Sequence, residues 1–429
     1  MKTTLLVTLS LIAPVALAQP PRAFVGARVL PIDAAPIENG VLVTRDGKIA
    51  AVGPAAEIAI PADAERIDVA GKVLMPGLVC THIHVGGIGG ADRSGPIQPD
   101  IRIYDSINVQ DAGFRRARAG GLTTINIMPG SGHLLSGQTV YLKLRSGARV
   151  IDDLFYRFDD GAPMGGMKMA NGTNSMREPP FPGTRAKSAA LVREQYIKAQ
   201  EYREKLQQAA GDPDKAPERD LRMEGLVEVL EGKRVVHHHT HRHDDIITVL
   251  RLAKEFGFRV VLHHVSEGWK VADEIAAAGV PCSIILVDSP GGKLEAVNLI
   301  YRTGAVLEQA GVKVAFHTDD WITDCRYFLR MAALGVRAGM SREGALRALT
   351  LSGAELLDLQ DRVGSLTPGK DADFLILDGD PLSAYTKVLE TWVEGERVFD
   401  RSDPDDYLYA VGGYGAGHDS EPYLCCYDE

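Results

Sequence analysis

The spacing of apolar and polar residues changes character along this chain. Near its start, short alternating runs are broken by turn residues: Ala23-Phe24-Val25-Gly26, Gly40-Val41-Leu42-Val43-Thr44, Lys48-Ile49-Ala50-Ala51-Val52-Gly53 and Arg66-Ile67-Asp68-Val69. A period of two sends successive side chains to opposite faces of a strand, and Asp46-Gly47 is a hairpin dipeptide. These runs predict a small antiparallel sheet. Similar runs return at 372–377, 388–393 and 397–399. The pattern predicts one β domain assembled from residues 19–75 and 358–402.

Between these blocks, from 76 to 357, the period alternates between strand and helix. Val192, Tyr196, Ala199, Tyr202 and Leu206 recur at intervals of three and four, which predicts an amphipathic helix. Ile246, Val249, Leu250, Ala253 and Phe256 predict another, opened by Asp244-Asp245 and stopped by Gly257. Strand-like runs lie around them at 234–236, 259–262, 281–287 and 312–316. Repeated βα units imply parallel strands, in a closed barrel or an open doubly wound sheet. No G-x-G-x-x-G run opens a helix, so dinucleotide binding has no support.

The first eighteen residues do not belong to this pattern. Lys2, a mostly apolar stretch from Thr3 to Val15 and Ala16-Leu17-Ala18 predict a signal peptide cleaved between Ala18 and Gln19. The stretch is shorter than the roughly 20 residues a spanning helix needs. A periplasmic or secreted chain with no membrane span is expected. Its net charge of −10 is spread without basic clusters, which argues against nucleic-acid partners. Residues 403–429 form a polar, acidic tail. The five cysteines, Cys80, Cys282, Cys325, Cys425 and Cys426, contain no C-x-x-C pair, so no zinc knuckle is written here. Cys80 reads as a packed core thiol.

The twelve histidines gather at strand ends. His82 and His84 share one face of their strand. His237, His239 and His241 share one face of another, with His238 on the opposite side. His263-His264 and His317-Thr318-Asp319-Asp320 end two more. A single histidine is as readily a core or surface residue as a ligand. Four strands ending in imidazole or carboxylate are different, because strand C-termini are where barrel sites converge. Imidazole with carboxylate is a donor set for zinc or a similar ion.

Two motifs point further. Gly71-Lys72-Val73-Leu74-Met75-Pro76-Gly77-Leu78-Val79 followed by His82-x-His84 resembles the first barrel strand of the amidohydrolase superfamily. Gly364-Ser365-Leu366-Thr367-Pro368-Gly369-Lys370-Asp371-Ala372-Asp373-Phe374 resembles its return to the β domain. The resemblance runs over residues 23–400 and implies an α/β fold: a (β/α)₈ TIM barrel with a small β-sandwich domain from both chain termini. Its nearest branch is the imidazolonepropionase-like and dipeptidase-like one, through His239-x-His241-Arg242-x-Asp244-Asp245-Ile246. The ligands it implies are His82, His84, His239, His264 and Asp319, the last preferred to Asp320 because it directly follows a threonine. His241, His317 and His133 are candidates for orienting ligands or touching substrate. In dinuclear relatives a fourth-strand lysine, carboxylated by CO₂, bridges two ions. Lys168 stands where that strand is due, so two divalent ions, taken as zinc, are expected.

The implied activity is hydrolysis of an amide in a small molecule, a dipeptide or N-acyl amino acid, with Asp319 moving the proton. Arg177, Arg185 and Arg242 are candidates for gripping a substrate carboxylate. Residues 158–185, rich in Gly, Pro and Met, are expected to form a flap. Cyclic amides and lactones are alternative substrates. A mononuclear deaminase is a rival, but its fifth-strand His-x-x-Glu is absent: Arg242 lies three after His239, and only His264-x-x-Glu267 has that spacing. A non-catalytic metal-binding envelope protein would lack an expected ligand, and none is missing. A homo-oligomer is compatible with all of this.

Overall fold

A computed structural model describes residues 20–89, 92–286, 293–320 and 322–412. The expected leader and its Ala18/Gln19 junction, Cys425, Cys426 and the tail beyond 412 lie outside the described residues. In chain order the strands are β1 (Arg22–Val29), β2 (Ile37–Arg45), β3 (Lys48–Pro54), β4 (Glu65–Asp68), β5 (Val73–Pro76), β6 (Leu78–Ile83), β7 (Leu122–Ile127), β8 (Leu135–Gln138), β9 (Val140–Lys143), β10 (Met167–Ala170), β11 (Val236–Thr240), β12 (Val260–His264), β13 (Cys282–Ile284), β14 (Val314–Phe316), β15 (Phe374–Leu377), β16 (Val388–Val393) and β17 (Glu396–Asp400). The first four α-helices are α1 (Ala112–Ala119), α2 (Arg185–Ala209), α3 (Leu221–Leu230) and α4 (His243–Phe256).

Both chain ends build one eight-stranded sheet, ordered β17-β16-β15-β5-β1-β2-β3, with β4 also on β1. Asp46 and Gly47 both have positive φ (50° and 74°), as a two-residue type I′ hairpin between β2 and β3 requires. β4 and β5 run parallel to β1, so the sheet is mixed rather than antiparallel. Alternation specifies which face a side chain takes, not the direction of its neighbour. The rings of Phe24, Phe374 and Trp392 pack on one another with centroids 4.8 to 5.6 Å apart.

In the central region β10 to β14 pair in sequence order, all parallel, and β6 pairs parallel with β7. Between these groups the chain departs from the eight-parallel-strand expectation. β9 runs antiparallel to β7, and β8 antiparallel to β10. A parallel return needs a crossover, usually a helix, and no helix lies between Ile127 and Leu135. At the other side, Thr81 Oγ1 donates to Phe316 O (3.4 Å) and the Asp319 N–H to His82 O (3.0 Å), tying β14 to β6.

Helices close the outside. On α2, Val192, Tyr196, Ala199 and Tyr202 are buried as their spacing predicted, whereas Leu206 is exposed. α4 stops at Gly257, in the left-handed region at φ 75°. Residues 404–411, at the start of the expected tail, form a helix against α1, where Arg115 meets Asp406 (3.2 Å) and the Tyr409 ring (3.9 Å). No helix of the described residues is long and apolar enough to cross a membrane.

Candidate metal centre and active site

Strand register sets the site. β6 delivers His82 and His84, whose Nε2 atoms lie 3.1 Å apart. His84 Nδ1 sits 2.8 Å from Met128 O, which fixes the ring with Nε2 facing inward. Parallel pairing sets Ala170 opposite His239 and Thr240 opposite His264. The His239 and His264 rings lie 4.2 Å apart, with His241 at 4.6 Å from the first and 5.1 Å from the second.

Asp319 closes the ring after β14. Its Oδ1 is 3.0 Å from His84 Nε2 and 3.4 Å from His82 Nε2, and its Oδ2 is 3.8 Å from His264 Nε2. Asp319 and His264 both hold positive φ (46° and 70°). That conformation costs non-glycine residues of order 1 kcal/mol or more and concentrates at functional positions. Burial pushes the Asp319 pKa up, but the His84 hydrogen bond and the electrostatic pull of neighbouring His84, His317 and Lys168 bring it down to about 2. It is an ionised carboxylate at neutral pH.

Lys168 lies inside β10, fully buried, with Nζ 3.2 Å from His82 Nε2 and 2.9 Å from Met128 Sδ. Burial lowers its pKa to about 7, against the pull of Asp319. It is a strand residue and not part of a mobile loop.

The donor set can be matched against the needs of a divalent ion. Burial holds the pKa values of His82, His239 and His264 well below the usual imidazole range, and those of His241 and His317 at about 3. All five are therefore neutral, the form that offers a lone pair. Donor atoms of His239, His241 and His264, and of His82, His264 and Asp319, form two groups within 4.8 Å of one another. His241 Nε2 and His264 Nε2 are sealed from solvent without a hydrogen-bond partner, a costly state for a buried nitrogen. The residues fit.

The other sequence candidates separate. His317 stacks on His82 at 4.9 Å and is fixed by Ser283 Oγ on Nδ1 (2.8 Å). His241 is fixed by Ser266 Oγ (2.7 Å). His237, left open by spacing, instead joins Tyr141 Oη (2.9 Å) and His263 Nε2 (3.0 Å) away from Asp319. His133 is buried against Phe181 (5.4 Å) and belongs to neither group. Cys80 is a core thiol as expected, its pKa raised to about 11 by burial. Residues 158–185 do not form a single flap, since β10 runs through them. The segment after β10, from Asn171 to Asn174, is clasped by Glu295 of the loop after β13. Glu295 accepts from the Thr173 N–H (3.0 Å) and hydroxyl (2.7 Å). Sequence reasoning missed that loop's Lys293, whose Nζ is 3.1 Å from His239 Nε2. Burial lowers its pKa to about 8. A lysine after two glycines in a loop carries no periodic signal.

Residues 73–398 match the family model of the amidohydrolase family. The chain belongs to the amidohydrolase family. Members are hydrolases acting on carbon–nitrogen bonds, and the family generally uses a divalent metal, often zinc. A solved amidohydrolase from Thermotoga maritima MSB8 superposes with a TM-score of 0.83 at 33% identity, covering 88% of this chain and all of that one. This likeness shows a TIM-barrel-type fold. The amidohydrolase tasK of Hapsidospora irregularis is 25% identical over 393 residues, 85% of this chain; the match spans only 39% of that longer protein. An imidazolonepropionase of Symbiobacterium thermophilum is also 25% identical, over 80% of this chain and 85% of its own length.

Proposed function

We propose that this amidohydrolase is an exported dinuclear metalloenzyme that cleaves an amide bond in a dipeptide or N-acyl amino acid. The observation that carries the reading is the placement of ionised Asp319 within 3.0 to 3.8 Å of imidazole nitrogens from β6 and β12. His82, His84, His239, His264, Asp319 and carboxylated Lys168 would hold two ions, taken as zinc. When bound, such ions lower the pKa of water and polarise a carbonyl.

The chain's own residues supply the rest. Asp319 accepts the proton of the attacking water and returns it to the departing nitrogen, so the C–N bond breaks with a neutral amine leaving. His84, its Nδ1 held by Met128 O, keeps Nε2 turned toward Asp319. Lys168, with a pKa near 7, has a substantial neutral fraction around neutral pH, and the neutral amine is the form that reacts with CO₂. The deaminase alternative has less support. Arg242, at the place of its fifth-strand glutamate, is bound by Asp244, while Glu267 is held by His243 (2.7 Å), Lys270 (2.8 Å) and Asn298 (2.5 Å).

The test is a panel of dipeptides, N-acyl amino acids, cyclic amides and lactones with zinc-loaded protein, with ammonia release followed in parallel. Turnover of linear amides is expected. Turnover confined to cyclic or ester members would overturn the linear-amide assignment, and ammonia release from an aminated ring would favour the deaminase.

A further inference from the structure

Three arginines are candidates for holding a substrate carboxylate, and each is already engaged. Arg242 grips Asp244 through two hydrogen bonds of 2.7 and 3.0 Å. Arg185 spans Asp245 (2.8 Å) and Glu295 (2.5 Å). Arg177 lies over the Phe181 ring at 3.8 Å and donates to Gly132 O. A guanidinium that is already paired offers little to an incoming anion.

Lys293 is different. Among the described residues, no carboxylate lies within ion-pair distance of its Nζ. Its polar contacts there are Asn174 Oδ1 and His239 Nε2. The ammonium therefore sits at the site itself, partly buried, with only neutral hydrogen-bond partners among the described residues. Its backbone is held in place two residues on, where buried Glu295 takes Thr173 and Arg185. Gly172, at φ 72°, lets that carboxylate approach, since a methyl group there would collide with it.

Among the described residues the site offers one carboxylate, Asp319, and the carbamate of a carboxylated Lys168, against Lys293 and whatever divalent charge its imidazoles carry. An ion on His239 would take the lone pair that the ammonium now shares and would repel it. A buried cation without a counter-ion is costly, and an anionic group on the substrate is what offsets it.

We propose that Lys293, steadied by Asn174, binds a substrate carboxylate borne on the carbon next to the leaving nitrogen. This rests on the amide-hydrolase reading and narrows it: the substrate is an N-acyl amino acid or a dipeptide with a free C-terminus, and capped amides are poor substrates. The loop after β13 thereby selects the acid, while Asp319 and the β6, β11 and β12 histidines act on the amide.

Binding without turnover separates this proposal from the reading it rests on. The probes are 4-oxopentanoate, in which a methylene replaces the amide nitrogen of N-acetylglycine, and the uncharged 4-oxopentanamide. Calorimetric titration into the zinc-loaded full chain should find the carboxylate about tenfold or more tighter, the scale of one hydrogen bond to a charged group. Lys293→Met should erase that preference with bound zinc unchanged, and Lys293→Arg should restore part of it. Equal affinities in the wild-type protein, no binding of the carboxylate, or a preference that survives Lys293→Met each overturn the proposal. If the preference is found but no amide is hydrolysed, the anchor stands and the amide reading falls.

Discussion

Lys143 Nζ lies 3.0 Å from Asp373 Oδ2, both side chains closed off from solvent, where β9 meets the sheet formed by the chain ends. Asp371 and Glu394 share the same ammonium, and Lys48, Arg145 and Arg362 ring them. Burial works against the Lys143 charge, but Asp373, Tyr156, Asp371 and Glu394 raise its pKa above the ordinary lysine value. This network joins the Asp371-Ala372-Asp373 return motif to the strands that carry the site. Replacing Lys143 by Met should leave buried Asp373 without its cation, while Asp371 keeps Lys48 and Arg362, and cost about 3–5 kcal/mol. Denaturant unfolding of the variant checks this; a loss below about 1 kcal/mol would speak against the network's role.

The same network gives an acid limb to stability. Burial raises the Asp371 pKa, but Lys143, Lys48 and Arg362 bring it to about 2, below the ordinary aspartate value. A depressed carboxylate pKa contributes stability that is full above the unfolded value and is lost as pH falls through the folded one. Stability should therefore drop between about pH 5 and pH 2. Asp373, whose pKa burial raises, opposes part of this. Asp371→Asn should flatten that limb in thermal melts recorded from about pH 6 to pH 2. An unchanged pH dependence would count against the assignment.

Much of this molecule was legible before its structure. The β runs at both ends, α2 and α4, and the histidines at strand ends follow from periodicity and turn residues. The family resemblance chose His239 from three same-face histidines; register then set His237 against Tyr141 and His263, which no local pattern specifies. The antiparallel β8 and β9 were missed because strand direction depends on what connects two strands. Lys143 was missed for a related reason. A lysine in a strand reads as solvated, and its counter-ions lie 228 and 230 positions away (371 − 143; 373 − 143). Lys293 is positioned by Glu295 and Thr173 from two loops, again a long-range fact.

Gly172 offers a conformational test. It holds φ 72° beside the Glu295 carboxylate. Gly172→Ala should cost about 1–3 kcal/mol through the left-handed backbone and the displaced carboxylate. It should also raise KM more than it lowers kcat, because the Lys293 loop loses its clasp. Wild-type KM and stability together would contradict that role.

Export is checked on the protein itself. Lys2, the apolar stretch and Ala16-Leu17-Ala18 lead us to place the mature start near Gln19, in the envelope fraction. N-terminal sequencing of protein from the native host should read Gln-Pro-Pro-Arg. An intact Met1 would contradict it.

Asp319→Asn removes the proton acceptor while keeping its shape. Activity should fall by at least about 10²-fold, the lower scale for loss of general acid–base catalysis, with the circular dichroism spectrum unchanged. A variant retaining most of its kcat would exclude Asp319 from proton transfer.

Zinc titration into chelator-stripped protein, with metal content and amide hydrolysis measured on the same samples, bears most directly on the dinuclear reading. Hydrolysis should be absent without metal and reach its plateau near two equivalents. Lys168→Ala should bind about one ion and lose most of its activity. Full activity in stripped wild-type protein, or two ions with full activity in Lys168→Ala, would contradict it.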